Sequence, residues 1–316
     1  PARPMAGDKP PMMTKPTITR SSTVASMMCH RAIRHTRARR LSSRLFIILP
    51  SGRPCGSFDE ILEHILNEPM PELDALLVCA GGNPALFKHR RTFSFLRSLA
   101  RRGVAIGGVS GGPYLLARAG LLEGYRCTIH WEHMAAFQEE FPDLDAHRTL
   151  YEIDRDRLTC AGGIAALDMM RAIIADQHGA SLANRVSDWF LQTQLRLGSG
   201  PQRLPLRERY GTSNGVLLKA LEAMESSSES PVSRKRLAQR AGVSVRQLER
   251  LFAAHLKTSI SAQYLKLRLD RAHRLLQETT IPVLAVAVAS GFVSASHFSR
   301  SYRAHYGKTP KQERAL

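Results

Sequence analysis

The sequence contains a five-residue pattern that could hold a nucleophile. Residues 108–112 (GVSGG) fit G-x-S-x-G, the sharp turn between a strand and a helix that exposes a catalytic serine in hydrolases. His130 and Glu132 follow on what we predict to be a neighbouring strand. The pattern alone is weak support for catalysis, because glycine is common at such turns for steric reasons. No acidic residue and histidine follow Ser110 at the separation that these hydrolases use.

Two stretches near the C-terminus are near-copies of one pattern. They are residues 237–252 (LAQRAGVSVRQLERLF) and 286–302 (VAVASGFVSASHFSRSY), and they align when Ser244 is placed on Ser294. Small and apolar residues predict a first helix, and a glycine then permits a tight turn with positive φ. The aligned serine is a good N-cap for a second helix, and Gln247 could complete a capping box in the first copy.

The second helix of each copy has one apolar face and one polar, basic face. A helix that reads DNA needs this division, because one side holds the domain together and the other enters the major groove. The alternative is an ordinary helical bundle with a solvated basic surface. The apolar face comprises Leu248, Leu251 and Phe252 in the first copy, and Phe298 and Tyr302 in the second.

A third helix is predicted between the copies, where Leu265, Leu269, Ala272 and Leu276 recur at helical spacing. It would hold the two units at a fixed separation. Together with the phrase GFVSASHFSRSYRAHYGKTP, these patterns make residues 214–312 resemble the DNA-binding domain of AraC-type transcription regulators. One departure is an isoleucine at position 260, where the family usually has proline. By this resemblance, the residues that face DNA bases or backbone are Arg246, Glu249, Arg250, Ser296, Ser299 and Arg300.

Residues 45–200 alternate between short apolar runs and helical patterns. This alternation predicts a doubly wound, mainly parallel α/β sheet covered on both faces. The predicted strands are residues 45–49, 75–79 and 104–109, with two more near 125–129 and 158–160. We therefore predict an α/β domain followed by an all-α double helix-turn-helix domain.

The α/β region resembles the amidotransferase-like, PfpI-like sensor domain that precedes AraC-type domains. The resemblance rests on the AGG at 80–82 and on GGVSGGPYLLARAGLLEGYRCTIHWEH at 107–133. In enzymes of this kind the turn holds a catalytic cysteine, where this chain has Ser110. A serine without a poised base is a poor nucleophile, so the resemblance favours ligand binding. The alternative is an amidotransferase or hydrolase that uses Ser110 and carries a DNA-binding appendage.

The predicted ligand site lies at the carboxyl ends of the strands, where doubly wound sheets bind ligands. Regulators with a stretch like HWEH include sensors of arginine, glycine betaine and carnitine, which pair a carboxylate with a cation. The indole of Trp131 could hold a quaternary ammonium by cation–π attraction, and Glu132 could add charge complementarity. Alternation along a strand would turn Trp131 away from its two neighbours. The predicted site residues are Gly81, Gly82, Ser110, Gly111, His130, Trp131 and Glu132.

The net charge of +18 over 316 residues is unevenly distributed. Residues 213–316 contain 17 Lys and Arg against 7 Asp and Glu, and residues 1–44 contain 10 against 1, which leaves the middle near neutrality. A basic C-terminal unit beside a neutral one is typical of a DNA reader joined to another domain. We predict a disordered basic tail at 1–44, a sensor domain at 45–200, a linker at 201–212 and the DNA-binding domain at 213–316.

The basic tail takes the place of the strand and helix with which this family usually begins. We hypothesise that the sheet lacks an edge element, or that residues 1–44 are not the natural start of the chain.

The five cysteines are scattered and never form CxxC, which predicts reduced thiols in a cytoplasmic protein without structural zinc. No apolar run is long enough to cross a bilayer. We expect double-stranded DNA and a small-molecule effector as partners, a homodimer as the active form, and no metal, cofactor or membrane partner.

Overall fold

The computed structural model describes the strand Leu45–Ile48 and residues 73–314. The predicted basic tail at 1–44 lies outside the described residues. Within residues 73–314, no helix is long and apolar enough to cross a bilayer.

Five of the described strands form one sheet, in the order β1 (Leu45–Ile48), β2 (Ala75–Ala80), β3 (Ala105–Ser110), β7 (Arg157–Cys160) and β6 (Tyr151–Asp154). The first four strands of this order are mutually parallel, and β6 pairs antiparallel with β7 at the edge. The predicted mainly parallel sheet is confirmed, while the antiparallel edge strand was not predicted.

Helices cover both faces of the sheet. On β2, Leu76 and Val78 join the cluster that packs under helices α1 (Arg90–Arg101) and α2 (Gly112–Arg118). Leu77 lies on the opposite face, in a cluster with Met169 of α4 (Ala165–His178). Successive side chains of a strand point to opposite faces, so burial of all three requires two helical layers. The predicted doubly wound arrangement is confirmed.

A second, two-stranded parallel sheet lies beside the main one. It pairs β4 (Arg126–Thr128) with β5 (Asp145–His147), and α3 (Met134–Glu140) connects them.

The segment His130–Glu132 lies in a turn between β4 and α3, so its predicted position on a strand is wrong. The backbone leaves the strand direction because the His130 N–H donates to the Ser110 carbonyl at 3.3 Å. The His133 and Met134 N–H groups then fold back onto the His130 carbonyl, at 2.9 and 3.2 Å. Side-chain alternation therefore does not apply to Trp131.

The connector after α5 (Ala180–Trp189) packs against the α/β part. Its Gln202 amide donates to the Thr149 and Ile129 carbonyls, at 2.6 and 3.0 Å, and a short helix α6 (Leu206–Arg209) follows. The boundaries at 200, 212 and 213 stay predictions.

The C-terminal part is helical and contains both predicted helix-turn-helix units, which confirms the second half of the fold prediction. Phe252–Leu256 continues the helix Val245–Leu251 as a single π-helical segment. The other elements are α7 Gly215–Ser226, α8 Arg234–Ala241, α9 Val245–Leu251, α10 Ile260–Glu278, α11 Val283–Ala289, α12 Ala295–Tyr306 and α13 Pro310–Arg314.

Helix α10 connects two hydrophobic clusters. Ile260 and Tyr264 belong to the core of the first helix-turn-helix. Leu269 and Leu276 belong to the second, and this cluster continues without a break into the core of the α/β part. The isoleucine at 260 begins the helix in place of the family's proline: it is buried, and the Ser259 hydroxyl caps the helix by accepting from the Ala262 N–H at 3.1 Å.

Candidate DNA interface and effector site

Serine caps begin both candidate recognition helices. The Ser244 hydroxyl accepts from the Gln247 N–H at 3.2 Å, and that of Ser294 accepts from the His297 N–H at 3.3 Å. Of the predicted capping box, only this serine half is present in residues 73–314. The glycines of the two turns have the predicted positive φ, 75° at Gly242 and 74° at Gly291.

The two faces of each recognition helix are separated as predicted. Leu248, Phe252, Phe298 and Tyr302 are buried. On the opposite side Arg246, Arg250, Ser296 and Arg300 are exposed, while Glu249 and Ser299 are half-buried. Glu249 forms an ion pair with Arg234 of α8 at 3.1 Å. Among residues 73–314, the three arginines make no hydrogen bond or ion pair, which leaves their guanidinium groups available to an external partner.

A buried carboxylate holds the end of the second recognition helix. Glu313 accepts from the Tyr302 hydroxyl at 3.0 Å, from Lys308 at 3.1 Å and from the Gln277 amide at 3.0 Å. Burial alone would raise the pKa of Glu313, but these hydrogen bonds and the charge of His273 outweigh it and lower the pKa. The network joins α10, α12 and α13 into one unit.

The turn at Ser110 has the geometry of a nucleophile elbow. Ser110 has φ of 60°, a left-handed value that is rare for a residue with a side chain. A Cβ on Gly112 would lie 1.9 Å from the Val78 carbonyl oxygen, and one on Gly108 would lie 2.5 Å from the Pro113 nitrogen. Only glycine allows this helix to start so close to the strands.

The described residues around the elbow supply no base to the Ser110 hydroxyl. Within residues 73–314, no side chain forms a hydrogen bond with the Ser110 hydroxyl. Burial lowers the pKa of His130, but its ring nitrogen receives only the Glu132 N–H at 3.4 Å. The buried thiols are not activated either, because desolvation raises the pKa of Cys79 and Cys160 to about 11 and that of Cys127 to about 12.

Three glycine turns come together at the carboxyl ends of β2, β3 and β7. The Gly111 N–H donates to the Ala80 carbonyl at 2.8 Å, so this amide is committed to the protein. A Cβ on Gly162 would lie 2.7 Å from the Ser110 Cβ, which places the third turn against the elbow. Sequence reasoning missed this turn, although CAGG occurs both at 79–82 and at 160–163 and could have revealed it.

The indole of Trp131 is already accompanied by cations. The Arg203 guanidinium carbon lies 4.3 Å from the ring centroid and that of Arg274 lies 5.8 Å away. Sequence reasoning missed both arginines, because they are 72 and 143 residues away along the chain.

The turn that carries Trp131 also contacts helix α10. His133 Nδ1 lies 3.1 Å from Glu278 Oε2, and Arg271 Nη2 lies 3.7 Å from Glu139 Oε1. The Asn83 amide donates to the Gln277 carbonyl. The α/β part therefore holds the helix that connects the two helix-turn-helix units.

Among the described residues, no group of three or more His, Cys, Asp or Glu side chains could hold a metal ion.

An α/β part with a glycine-rich elbow, joined through one helix to two helix-turn-helix units, defines a class of DNA-binding regulators with a sensor-like domain. Comparison with known proteins agrees: the DJ-1/PfpI family matches residues 58–176, and a helix-turn-helix domain matches residues 237–315. The chain is 45% identical to the HTH-type transcriptional regulator CdhR of Pseudomonas aeruginosa, over 79% of this chain and 74% of that protein. It is 42% identical to the regulator GbdR of the same species, over 77% of this chain and 66% of that protein.

The chain belongs to the AraC-type transcription regulators that carry a DJ-1/PfpI domain. It is therefore a sequence-specific DNA-binding transcription regulator. A weaker similarity connects the α/β part to an enzyme, the isonitrile hydratase of Pseudomonas putida, at 32% identity over 42% of this chain and 56% of that protein.

Proposed function

We propose that a zwitterionic metabolite, an amino acid or a betaine-type amine, binds beside the elbow and changes how the helical part occupies DNA. The observation that carries this proposal is the placement of the turn at 130–133. The His130 N–H is bonded to the Ser110 carbonyl at the elbow, and His133 contacts Glu278 on α10. A ligand that moves this turn would act directly on the helix between the two DNA-reading units.

The ligand would use the chemistry of the turn and of the strand ends. Backbone N–H groups around Gly81, Gly82 and Ser110 suit an anionic group, whereas that of Gly111 is already committed. Glu132 is exposed and only 3.6 Å from His130, where it could face the cationic end of a zwitterion. A quaternary ammonium on the Trp131 indole would have to displace the guanidinium of Arg203.

Calorimetry of the full chain with amino acids and betaine-type compounds tests the effector site. Trp131→Ala and Glu132→Gln should weaken binding while affinity for DNA without ligand stays intact. Glu123→Gln, which removes an exposed carboxylate elsewhere in the α/β part, is the matched control. Binding that neither substitution alters, or binding of only uncharged or purely anionic compounds, would refute this site.

We propose that Arg246, Arg250 and Arg300 contact DNA bases or backbone, together with Glu249, Ser296 and Ser299. The exposure of the three arginines and their freedom from protein partners within residues 73–314 support this. An arginine that reads a guanine edge contributes about 1–3 kcal/mol of discrimination. Arg250→Ala should therefore relax specificity at one position of a DNA site obtained by in vitro selection. Arg185→Ala, in the α/β part, provides the same charge change away from the interface.

We propose that the chain is not an enzyme. The Ser110 hydroxyl, which has no hydrogen-bond partner among residues 73–314, supports this. The similarity to isonitrile hydratase favours the alternative of an amidotransferase or hydrolase. We expect the wild-type chain and Ser110→Ala to show the same lack of turnover with ester, amide and isonitrile substrates. Turnover lost in that variant would establish the alternative.

We propose that the active form is a cytoplasmic homodimer. The segment 189–197 supports dimerisation, because its polar side chains face the protein while its large apolar side chains face solvent. Gln192 and Arg196 each lie 2.5 Å from the buried carboxylate of Asp168. The same segment exposes Trp189, Leu191, Leu195 and Leu197. Sedimentation equilibrium should show a dimer that Leu191→Asp dissociates and that Leu86→Asp, an exposed leucine elsewhere, leaves intact. A monomeric wild-type chain would refute the homodimer.

A further inference from the structure

Two guanidinium groups from different parts of the chain meet at one indole. Arg203 belongs to the connector before α6, and Arg274 belongs to α10. Their guanidinium carbons lie 4.3 and 5.8 Å from the centroid of the Trp131 ring. The aromatic ring stabilises a cation by roughly 0.5–2 kcal/mol, but it supplies no counter-charge.

Neither arginine has an anionic partner within residues 73–314. The carboxylate that acts on Arg203, Glu225, is already bound by Arg209 through two hydrogen bonds of 2.9 and 2.8 Å. The Tyr210 hydroxyl donates to the same carboxylate at 3.1 Å. Glu225 is thus shared with Arg209 and Tyr210, and within residues 73–314 neither Arg203 nor Arg274 has an ion pair of its own.

Arg203 is exposed, but other cations lie close to it. Partial desolvation, followed by the like charges of Arg209 and Arg274, lowers the pKa of Arg203 despite the opposing charge of Glu225. Arginine nevertheless stays protonated in proteins, so the repulsion persists. An anion bound at either guanidinium group would offset part of this repulsion and could accept paired hydrogen bonds from its planar fork.

We propose that Arg203 and Arg274, beside Trp131, form a binding site for the carboxylate group of a small ligand. The inference deepens the proposed effector site, on which it rests because Trp131 belongs to both. It moves the anionic end of the effector from the backbone N–H groups at the strand ends to the two arginines, and it leaves Glu132, on the same turn as Trp131, for the cationic end. A carboxylate bound here would join the connector and α10 to the α/β part.

The probe is sodium acetate, titrated into the full chain at ionic strength held constant with sodium chloride, with acetamide as the neutral isostere. Tryptophan emission should change with acetate but not with acetamide, and Trp131→Phe should abolish the change. Arg203→Gln and Arg274→Gln should each weaken acetate binding by about tenfold or more, because charge-assisted hydrogen bonds are lost. Arg207→Gln, an exposed arginine on α6, should bind acetate like the wild type.

A wild-type chain that does not respond to acetate, or responds equally to acetamide, would overturn the inference. So would unchanged acetate affinity in both arginine variants. The two arginines could instead bind a DNA phosphate. In that case Arg203→Gln and Arg274→Gln would lose affinity for DNA but keep the acetate response, which would also refute the ligand site. If zwitterions fail to bind while the arginine-dependent acetate response persists, the effector proposal fails and the anion site stands. If zwitterions bind a variant that carries both Arg203→Gln and Arg274→Gln as tightly as they bind the wild type, the anion site fails and the effector proposal stands.

Discussion

His133 Nδ1 lies 3.1 Å from Glu278 Oε2, with 8% and 14% of the two side chains exposed. The pair connects the start of α3 to the last turn of α10. Since α10 contributes to the cores of both helix-turn-helix units, the pair places the turn at 130–133 in direct contact with the helix that holds the two DNA-reading helices.

Removal of the Glu278 carboxylate should loosen this contact. Glu278→Ala leaves the buried His133 ring without its partner, so we expect the free energy of unfolding to fall by about 1–3 kcal/mol. Urea unfolding of the full chain measures this loss. Glu222→Ala removes an exposed carboxylate of α7 and should change stability by less than about 0.5 kcal/mol. Equal stability losses in the two variants would show that the His133 contact has no special role.

The Glu313 network predicts a pH-dependent contribution to stability. The folded pKa of Glu313 lies below its ordinary value of 4.5, so its charged form stabilises the protein fully above pH 4.5. That contribution is lost as the pH falls through the folded pKa. The wild-type chain should therefore exceed Glu313→Gln in stability by about 1–3 kcal/mol at neutral pH. The difference should shrink below pH 4.5 in unfolding curves, and a gap that is constant down to pH 3 would contradict the assignment.

The close packing of the elbow predicts different tolerances at two glycines. A Cβ on Gly112 would overlap the Val78 carbonyl oxygen at 1.9 Å, whereas one on Gly81 meets nothing within 4 Å. We expect overpacking strain in Gly112→Ala to lower the free energy of unfolding by about 1–3 kcal/mol or more, which thermal unfolding would detect as a lower midpoint. Gly81→Ala should cost less than about 0.5 kcal/mol. A Gly112→Ala variant as stable as Gly81→Ala would show that the helix does not approach the strands this closely.

The local patterns of the sequence were enough to predict both halves of the fold. Apolar periodicity located α10 and the recognition helices, because burial of Leu248 and Phe298 depends on spacing within one helix. The elbow was likewise predictable, since glycines at fixed offsets around Ser110 reflect a local steric demand.

Features that depend on distant contacts could not be predicted. The sequence predicts a strand at 130–132, but a backbone hydrogen bond to Ser110, twenty residues earlier, bends this segment into a turn. The arginines beside Trp131 lie in the connector and in α10, and no spacing rule joins segments so far apart. The third glycine turn was missed for the same reason, although its repeated CAGG was visible.

The central claim is that the two recognition helices, held by α10, read DNA together. Hydroxyl-radical footprinting on a DNA site obtained by in vitro selection tests it most directly. Each protomer should protect two segments on one face of the duplex, roughly 34–36 Å apart, one helical turn. Arg250→Ala should weaken protection of one segment and Arg300→Ala that of the other. A single short protected segment, or protection that neither substitution alters, would contradict the account.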